Sequence, residues 1–192
     1  MPELPDLVHI VKALGPELPG RGVARASVRA PIVLRLLLPG GFAELLEGAR
    51  FSALERHGPF LRFGLDRPAG DLDLVMHLML AGRLRLASPG ERPRPATAFS
   101  LLLDDGRTLH YGDEKKMGKV YLGPRGEFGA IPGYPSQGID VTSPAFTWEA
   151  FSALIAGKRC QARVFVMDQS CLSAIGNAYA DEILFEARIH PK

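Results

Sequence analysis

The stretch "QSCLSAIGNAYADEILFEARIHP", residues 169–191, decides how the chain is read. Gly176 frees the backbone for a tight turn, and Asn177 is placed to cap the helix "AYADEILFEAR" behind it. A helix N-terminus behind such a turn presents unpaired N–H groups and the positive end of a dipole, a combination that suits a phosphate. Arg163, on a preceding helical stretch, adds a charge that suits the same phosphate backbone. By pattern alone, an ordinary packing corner between two helices is the simpler reading.

Working back from this stretch, "CQARVFVMD" predicts one helix and "WEAFSALIA" another, with Thr147 as its cap and Gly157 at its end. Residues 123–144 are dense in Gly and Pro and predict a linker or irregular crossing. Ahead of it the period changes. "VARASVRA", "RFSALER", "FLRFGL", "LVMHL" and "RLRLA" are short apolar or alternating runs separated by Gly, Pro and Asp, as strands require. "AFSLLLDDGRTLHY" predicts a hairpin turning at Asp105-Gly106, "KVYL" another strand, and "FAELLEG" a short helix. A β-rich front and a helical back make the class α+β, with domains over 1–122 and 145–192 joined by the linker 123–144.

The 192 residues are 46% hydrophobic and 23% charged, which fits a globular protein with a real core. No apolar run reaches the roughly 18–20 residues of a membrane helix, and the start lacks the pattern of a signal peptide. A cytoplasmic protein without a membrane partner is therefore expected. Cys160 and Cys171 give neither a paired metal spacing nor a disulfide framework, and read as buried thiols. The net charge of +2 neither demands nor excludes nucleic acid.

The chain opens "MPELPDLVHI", with Leu4, Leu7, Val8, Ile10, Val11 and Leu14 at helical spacing and Pro5 suited to a first turn. Removal of Met1 would leave Pro2 as a terminal secondary amine beside the Glu3 carboxylate; otherwise this is an N-terminal helix docked on the core. "GDEKKMGKVYL" sets Lys115 and Lys116 before Met117. Such a loop is either solvated surface or an apolar wedge flanked by cations that grip phosphates. His77, in "MHLMLAGRLRL", ends an apolar strand, where a hydrogen-bonding structural role is the plainer reading.

In order, "MPELPD", "MHLMLAGRLRL", "DEKKMGKVYL" and "DQSCLSAIGNAYADEILFEARIHP" closely resemble the formamidopyrimidine-DNA glycosylase and endonuclease VIII family, from Met1 to Lys192. The resemblance implies an N-terminal antiparallel β-sandwich with an N-terminal helix, followed by a helical helix–two-turn–helix domain. It implies a monomeric base-excision repair glycosylase with AP lyase activity, acting on oxidised bases in damaged double-stranded DNA. Pro2 would attack C1′ of the damaged nucleotide, and Glu3 would serve as general acid and base. A terminal amine starts near a pKa of about 8, and the positive end of the following helix lowers it, favouring the neutral nucleophile. Asn177, Arg163, Lys115, Lys116 and His77 would contact DNA, with Met117 and Leu80 filling the gap left by a flipped base. Pro2, Glu3, Met117 and Asn177 are expected to face one cleft.

Several positions depart from the family pattern. A phosphate-gripping lysine in a stretch like "R-x-x-K-Y-L" becomes Pro59 in "HGPFL". A pair of arginines and a phenylalanine become Lys115, Lys116 and Met117, keeping charge but losing bidentate hydrogen bonding. A glutamate becomes Asp6, and a methionine becomes Leu80. The family's lesion-capping loop and four-cysteine zinc finger have no counterpart in these residues, so no metal ligand and no cofactor are expected here. Two other readings stand beside the enzyme: a weak or inactive relative that binds damaged or abasic DNA, and a partner-binding module that has left DNA behind.

Overall fold

The computed structural model describes residues 2–192, so the processing of Met1 lies outside the described residues. The chain divides into two compact units, Met1–Ala130 and Ile131–Lys192.

The first unit opens with helix α1 (Leu4–Leu14), which buries Leu7 and Leu14. These lie two turns apart on one face, and each buried leucine is worth roughly 2 kcal/mol. Strands β1 (Val23–Val28) and β2 (Leu34–Leu36) and helix α2 (Phe42–Leu46) follow. The remaining strands are β3 (Arg50–His57), β4 (Phe60–Asp66), β5 (Leu72–His77), β6 (Gly82–Ala87), β7 (Thr97–Leu103), β8 (Thr108–Asp113) and β9 (Lys119–Pro124). They form a five-stranded sheet in the order β2-β9-β5-β4-β3 and a four-stranded sheet in the order β1-β7-β8-β6, the two layers of a β-sandwich. The β7–β8 hairpin turns at Gly106, whose φ of +84° only glycine adopts readily. Fully buried Phe63, Leu65, Leu74 and Met76 line the first sheet, and Phe99, Leu101, Leu109 and Tyr111 the second.

The sandwich departs from an all-antiparallel arrangement at one edge. β2 pairs parallel with β9, Leu34 opposite Val120, because β2 reaches its place through the turn Pro31–Val33 and not through a hairpin.

The second unit contains β10 (Ile139–Asp140), α3 (Trp148–Ile155), α4 (Ala162–Val166), β11 (Leu172–Ser173) and α5 (Asn177–Glu186). Thr147 caps α3, its hydroxyl accepting the Ala150 amide at 3.2 Å, and Gly157 beyond its end has φ +76°. β10 and β11 pair in parallel, so the unit is not wholly helical. Its core joins Phe165, Val166, Cys171, Leu172, Ile175, Ala180 and Leu184. Cys171 is buried, but Cys160 is exposed, contrary to its reading as a buried thiol.

The Gly/Pro-rich stretch expected as a linker is shared between the units. Arg125 bonds Asp66 and Asp71 of the first unit, both at 2.7 Å, whereas Ile131 and Tyr134 are buried in the second. Most Gly and Pro residues there are exposed, with the buried Ile131 and Tyr134 anchoring an otherwise irregular stretch. No helix of the described residues is long and apolar enough to cross a membrane.

Candidate active site and nucleic-acid interface

In the first unit, Glu3 is the N-cap of α1, with extended backbone. Its N–H donates to the Asp6 carboxylate at 3.0 Å, so the shorter acid still ties down the start of the helix. The Glu3 side chain is 6% exposed. Pro2, just ahead of the cap, is half-buried and lines a groove of about 550 Å³ with Pro5, His9, Ile10, Leu80 and Arg83. Leu80 stands 51% exposed on the β5–β6 turn. The N-terminal proline and the proposed gap-filling leucine thus share one surface.

His77 organises that turn from behind. Its Nδ1 accepts the Met79 amide at 3.1 Å, holding Met79 at φ +51°. Its ring meets Phe60 edge-on, with centroids 5.0 Å apart. Burial, aided by the Lys119 charge, lowers its pKa to about 4. With Nδ1 accepting that amide, the single proton of a neutral ring sits on Nε2, so His77 braces the turn that carries Leu80 and keeps Nε2–H as a donor.

Lys115, Lys116 and Met117 are exposed on the turn between β8 and β9, Met117 at 43%. Register brings this turn beside Leu80, because Gly82 pairs with Asp113 and His77 with Lys119. Buried Asp113 holds the turn together. Its carboxylate accepts Gly118 N–H at 2.6 Å, Lys115 N–H at 3.1 Å and the Tyr111 hydroxyl at 3.4 Å. Burial and the Asp113 charge keep the Tyr111 phenol protonated, well above its ordinary range, so it remains a donor. Lys116 takes φ +52°, and Gly118 is so close to Tyr111 that a Cβ would lie 1.8 Å from its hydroxyl. Asp113 is one functional residue not singled out from the sequence, although an acid five residues before a glycine stands in the quoted block.

Pro59 is buried with Gly58 (φ +54°) in the two-residue turn joining β3 to β4. That position packs, where the family pattern carries a cation.

In the second unit, Arg163 and Asn177 are brought together: Arg163 Nη2 donates to Asn177 Oδ1 at 3.0 Å. Arg163 also pairs with Asp181 at 2.6 Å, which raises the guanidinium pKa and lowers that of the carboxyl. The N-cap is Gly176, not Asn177, whose side chain is drawn to Arg163 instead of back to the helix amides. Gln169 braces the preceding turns. Its amide donates to Ile175 O at 2.7 Å and Met167 O at 3.1 Å, and its oxygen accepts Ala174 N–H at 2.8 Å, with Ala174 at φ +64°. Gly138 is forced to be glycine, because a Cβ would lie 2.3 Å from the Cys171 carbonyl. Among the described residues, no three His, Cys, Asp or Glu side chains are placed to hold a metal ion.

Residues 1–120 match the formamidopyrimidine-DNA glycosylase N-terminal domain, and residues 137–192 match the H2TH domain of formamidopyrimidine-DNA glycosylase. The chain belongs to the formamidopyrimidine-DNA glycosylase family. The whole chain is 39% identical to the formamidopyrimidine-DNA glycosylase of Symbiobacterium thermophilum, covering 61% of that protein. It is 35% identical to the one from Moorella thermoacetica, covering 69% of it. The crystal structure of the MutM (Fpg) protein from Thermus thermophilus matches with TM-score 0.83 and 32% identity, over 99% of this chain and 66% of that one. Lactococcus lactis Fpg in complex with abasic-site DNA shares the fold at TM-score 0.85 and 23% identity, over 98% of this chain and 68% of that one. The chain thus spans about two thirds of the length of these formamidopyrimidine-DNA glycosylase relatives.

Proposed function

We propose that this protein is a base-excision repair DNA glycosylase with AP lyase activity, acting on damaged double-stranded DNA as a cytoplasmic monomer. The observation that carries the reading is Pro2, half-buried ahead of α1 and lining the groove that also takes in Leu80. Once Met1 is removed, Pro2 presents a secondary amine at the positive end of α1, where the field disfavours the ammonium form. The neutral amine attacks C1′ of the damaged nucleotide, and the base leaves with the glycosidic electron pair. The resulting cationic iminium withdraws electrons as the C2′ proton is removed, and the 3′ phosphate departs by elimination. Glu3 donates a proton to the opening sugar and takes protons up afterwards.

Binding rests on the two exposed lysines, with Met117 and Leu80 occupying the space of the extruded nucleotide. Asn177 and Arg163 supply the contact from the second unit. The buried Pro59 favours a second reading, in which the chain binds abasic DNA but removes intact lesions poorly. Duplexes carrying either an oxidised base or an abasic site, incubated with Met1-free protein, separate the two. Cleavage of both supports the glycosylase, cleavage of the abasic duplex alone supports a lyase without base removal, and cleavage of neither rejects catalysis.

A further inference from the structure

The four-stranded sheet carries a second recess, of about 210 Å³, which adjoins the Pro2 groove and shares Leu80 and Arg83 with it. Register builds it. Arg83 and Arg85 lie opposite Gly112 and His110 on β8, while Ser100 on β7 also pairs with His110. Arg94 enters from the loop between β6 and β7.

His110 is the centre of the recess. It is only 4% exposed, and its Nδ1 lies 2.7 Å from the Ser100 hydroxyl. Its Nε2, on the opposite edge of the ring, is buried without a hydrogen-bond partner among the described residues. Leaving such a group unsatisfied costs roughly 1–3 kcal/mol, a reason to expect a ligand atom there. Around it, Arg85 is held by Glu91, but Arg83 and Arg94 meet no carboxylate among the described residues. Of the acids in the lining, Asp113 is committed to the backbone of the lysine turn, and Glu114 is exposed.

We infer that this recess is an oxyanion site for a phosphate group, with His110 Nε2–H as the inner donor and Arg83 and Arg94 as guanidinium arms. With the Ser100 hydroxyl donating to Nδ1, the single proton of a neutral ring sits on Nε2 and points to the anion. Burial and the Arg85 charge lower the His110 pKa, in keeping with that neutral form. Guanidinium groups bind phosphate oxygens two at a time, a geometry that two unpaired arginines can supply. The phosphate has two sources. One is the backbone of a bound duplex, since Leu80 and Glu114 belong to both this recess and the turns of the proposed DNA face. The other is free phosphate. Only the first rests on the proposed function.

The test follows the His110 side-chain NMR signals of the 192-residue chain and of an Arg83→Ala/Arg94→Ala variant whose folding is checked by circular dichroism. Inorganic phosphate should move the Nε2 signal saturably, and the variant should bind it at least tenfold more weakly. If an abasic-site duplex moves the same signal, and the variant's salt slope falls by about 0.9 per lost contact, the source is the DNA backbone. If phosphate moves the signal and the duplex does not, the source is free phosphate. A signal unmoved by either ligand overturns the site. Duplex binding that still depends on Lys115 and Lys116 would then leave the DNA reading standing, whereas absence of any duplex binding would count against that reading alone.

Discussion

Replacing Asp113 by alanine should unravel the lysine turn before it affects anything else. The substitution removes the acceptor of three donors. Lys115 N–H is on the exposed turn and water replaces the lost partner, so its share is small. Gly118 and Tyr111 are buried, and each is left with an unpaired donor. At about 1–3 kcal/mol for each stranded donor, the total is about 4 kcal/mol. In a protein of this size that lowers the melting temperature by roughly 8–16 °C. Lys116 adds a second consequence. Its left-handed backbone costs about 1–2 kcal/mol, and that conformation persists only while the turn is held. Released, it relaxes and carries both lysines and Met117 out of place, so duplex affinity should fall about tenfold beyond any loss of folded protein. Asp113→Asn keeps one oxygen for Gly118 and should show about half the stability loss. Calorimetry and fluorescence anisotropy with an abasic-site duplex measure both effects. An alanine variant that melts within about 2 °C of wild type with unchanged affinity would refute this account of the turn.

Other outcomes follow from single contacts. Unfolded histidine takes up a proton near pH 6.5 but folded His77 only near 4, so stability present above 6.5 is lost as the pH falls between these values. From pH 7 to 5 that amounts to about 2 kcal/mol; His77→Asn, which keeps an acceptor for Met79, should flatten the dependence in urea titrations. An unchanged slope would mean another group carries it. Asp181→Asn frees Arg163 of its ion pair, so duplex affinity should rise and the salt slope steepen by about 0.9, whereas Arg163→Ala should do the reverse. Gly138→Ala forces a Cβ to 2.3 Å from the Cys171 carbonyl, and should cost the second unit more stability than Gly157→Ala, where nothing lies within 4 Å and only the left-handed φ of +76° opposes a side chain. Equal melting shifts for the two would count against close packing at Gly138.

Periodicity, turn residues and caps located many of the elements, and the family resemblance their architecture. The hairpin at Asp105-Gly106, the strand at 119–122 and the Thr147 cap are local features, each set by neighbours in sequence, and each is present. The parallel edge strand Leu34–Leu36 and the pair β10–β11 were not legible, because their partners lie tens of residues away and short strands have no period of their own. Gly138 illustrates the limit: a glycine in a Gly/Pro-rich run reads as flexibility, yet it is fixed by contact with Cys171. Similarly, motif order supplied Pro2, Glu3 and the lysines as candidates, but not what braces them. Asp113 and Gln169 act through backbone amides, and no residue-type pattern distinguishes an acid or amide that holds a turn from one that is solvated.

Catalysis depends on one amine, which borohydride trapping on abasic duplex DNA reads out. The protein is first shown by intact mass to lack Met1 and by anisotropy to bind the duplex. A reducible covalent adduct cross-linked at Pro2 is expected, retained in part by Pro2→Gly with its primary amine and abolished when Met1 is kept. Glu3→Gln should reduce base removal more than trapping, because the amine survives while the acid does not. A Met1-free preparation that binds the abasic duplex yet yields no adduct would rule out Pro2 as the nucleophile and leave a DNA-binding relative without the chemistry.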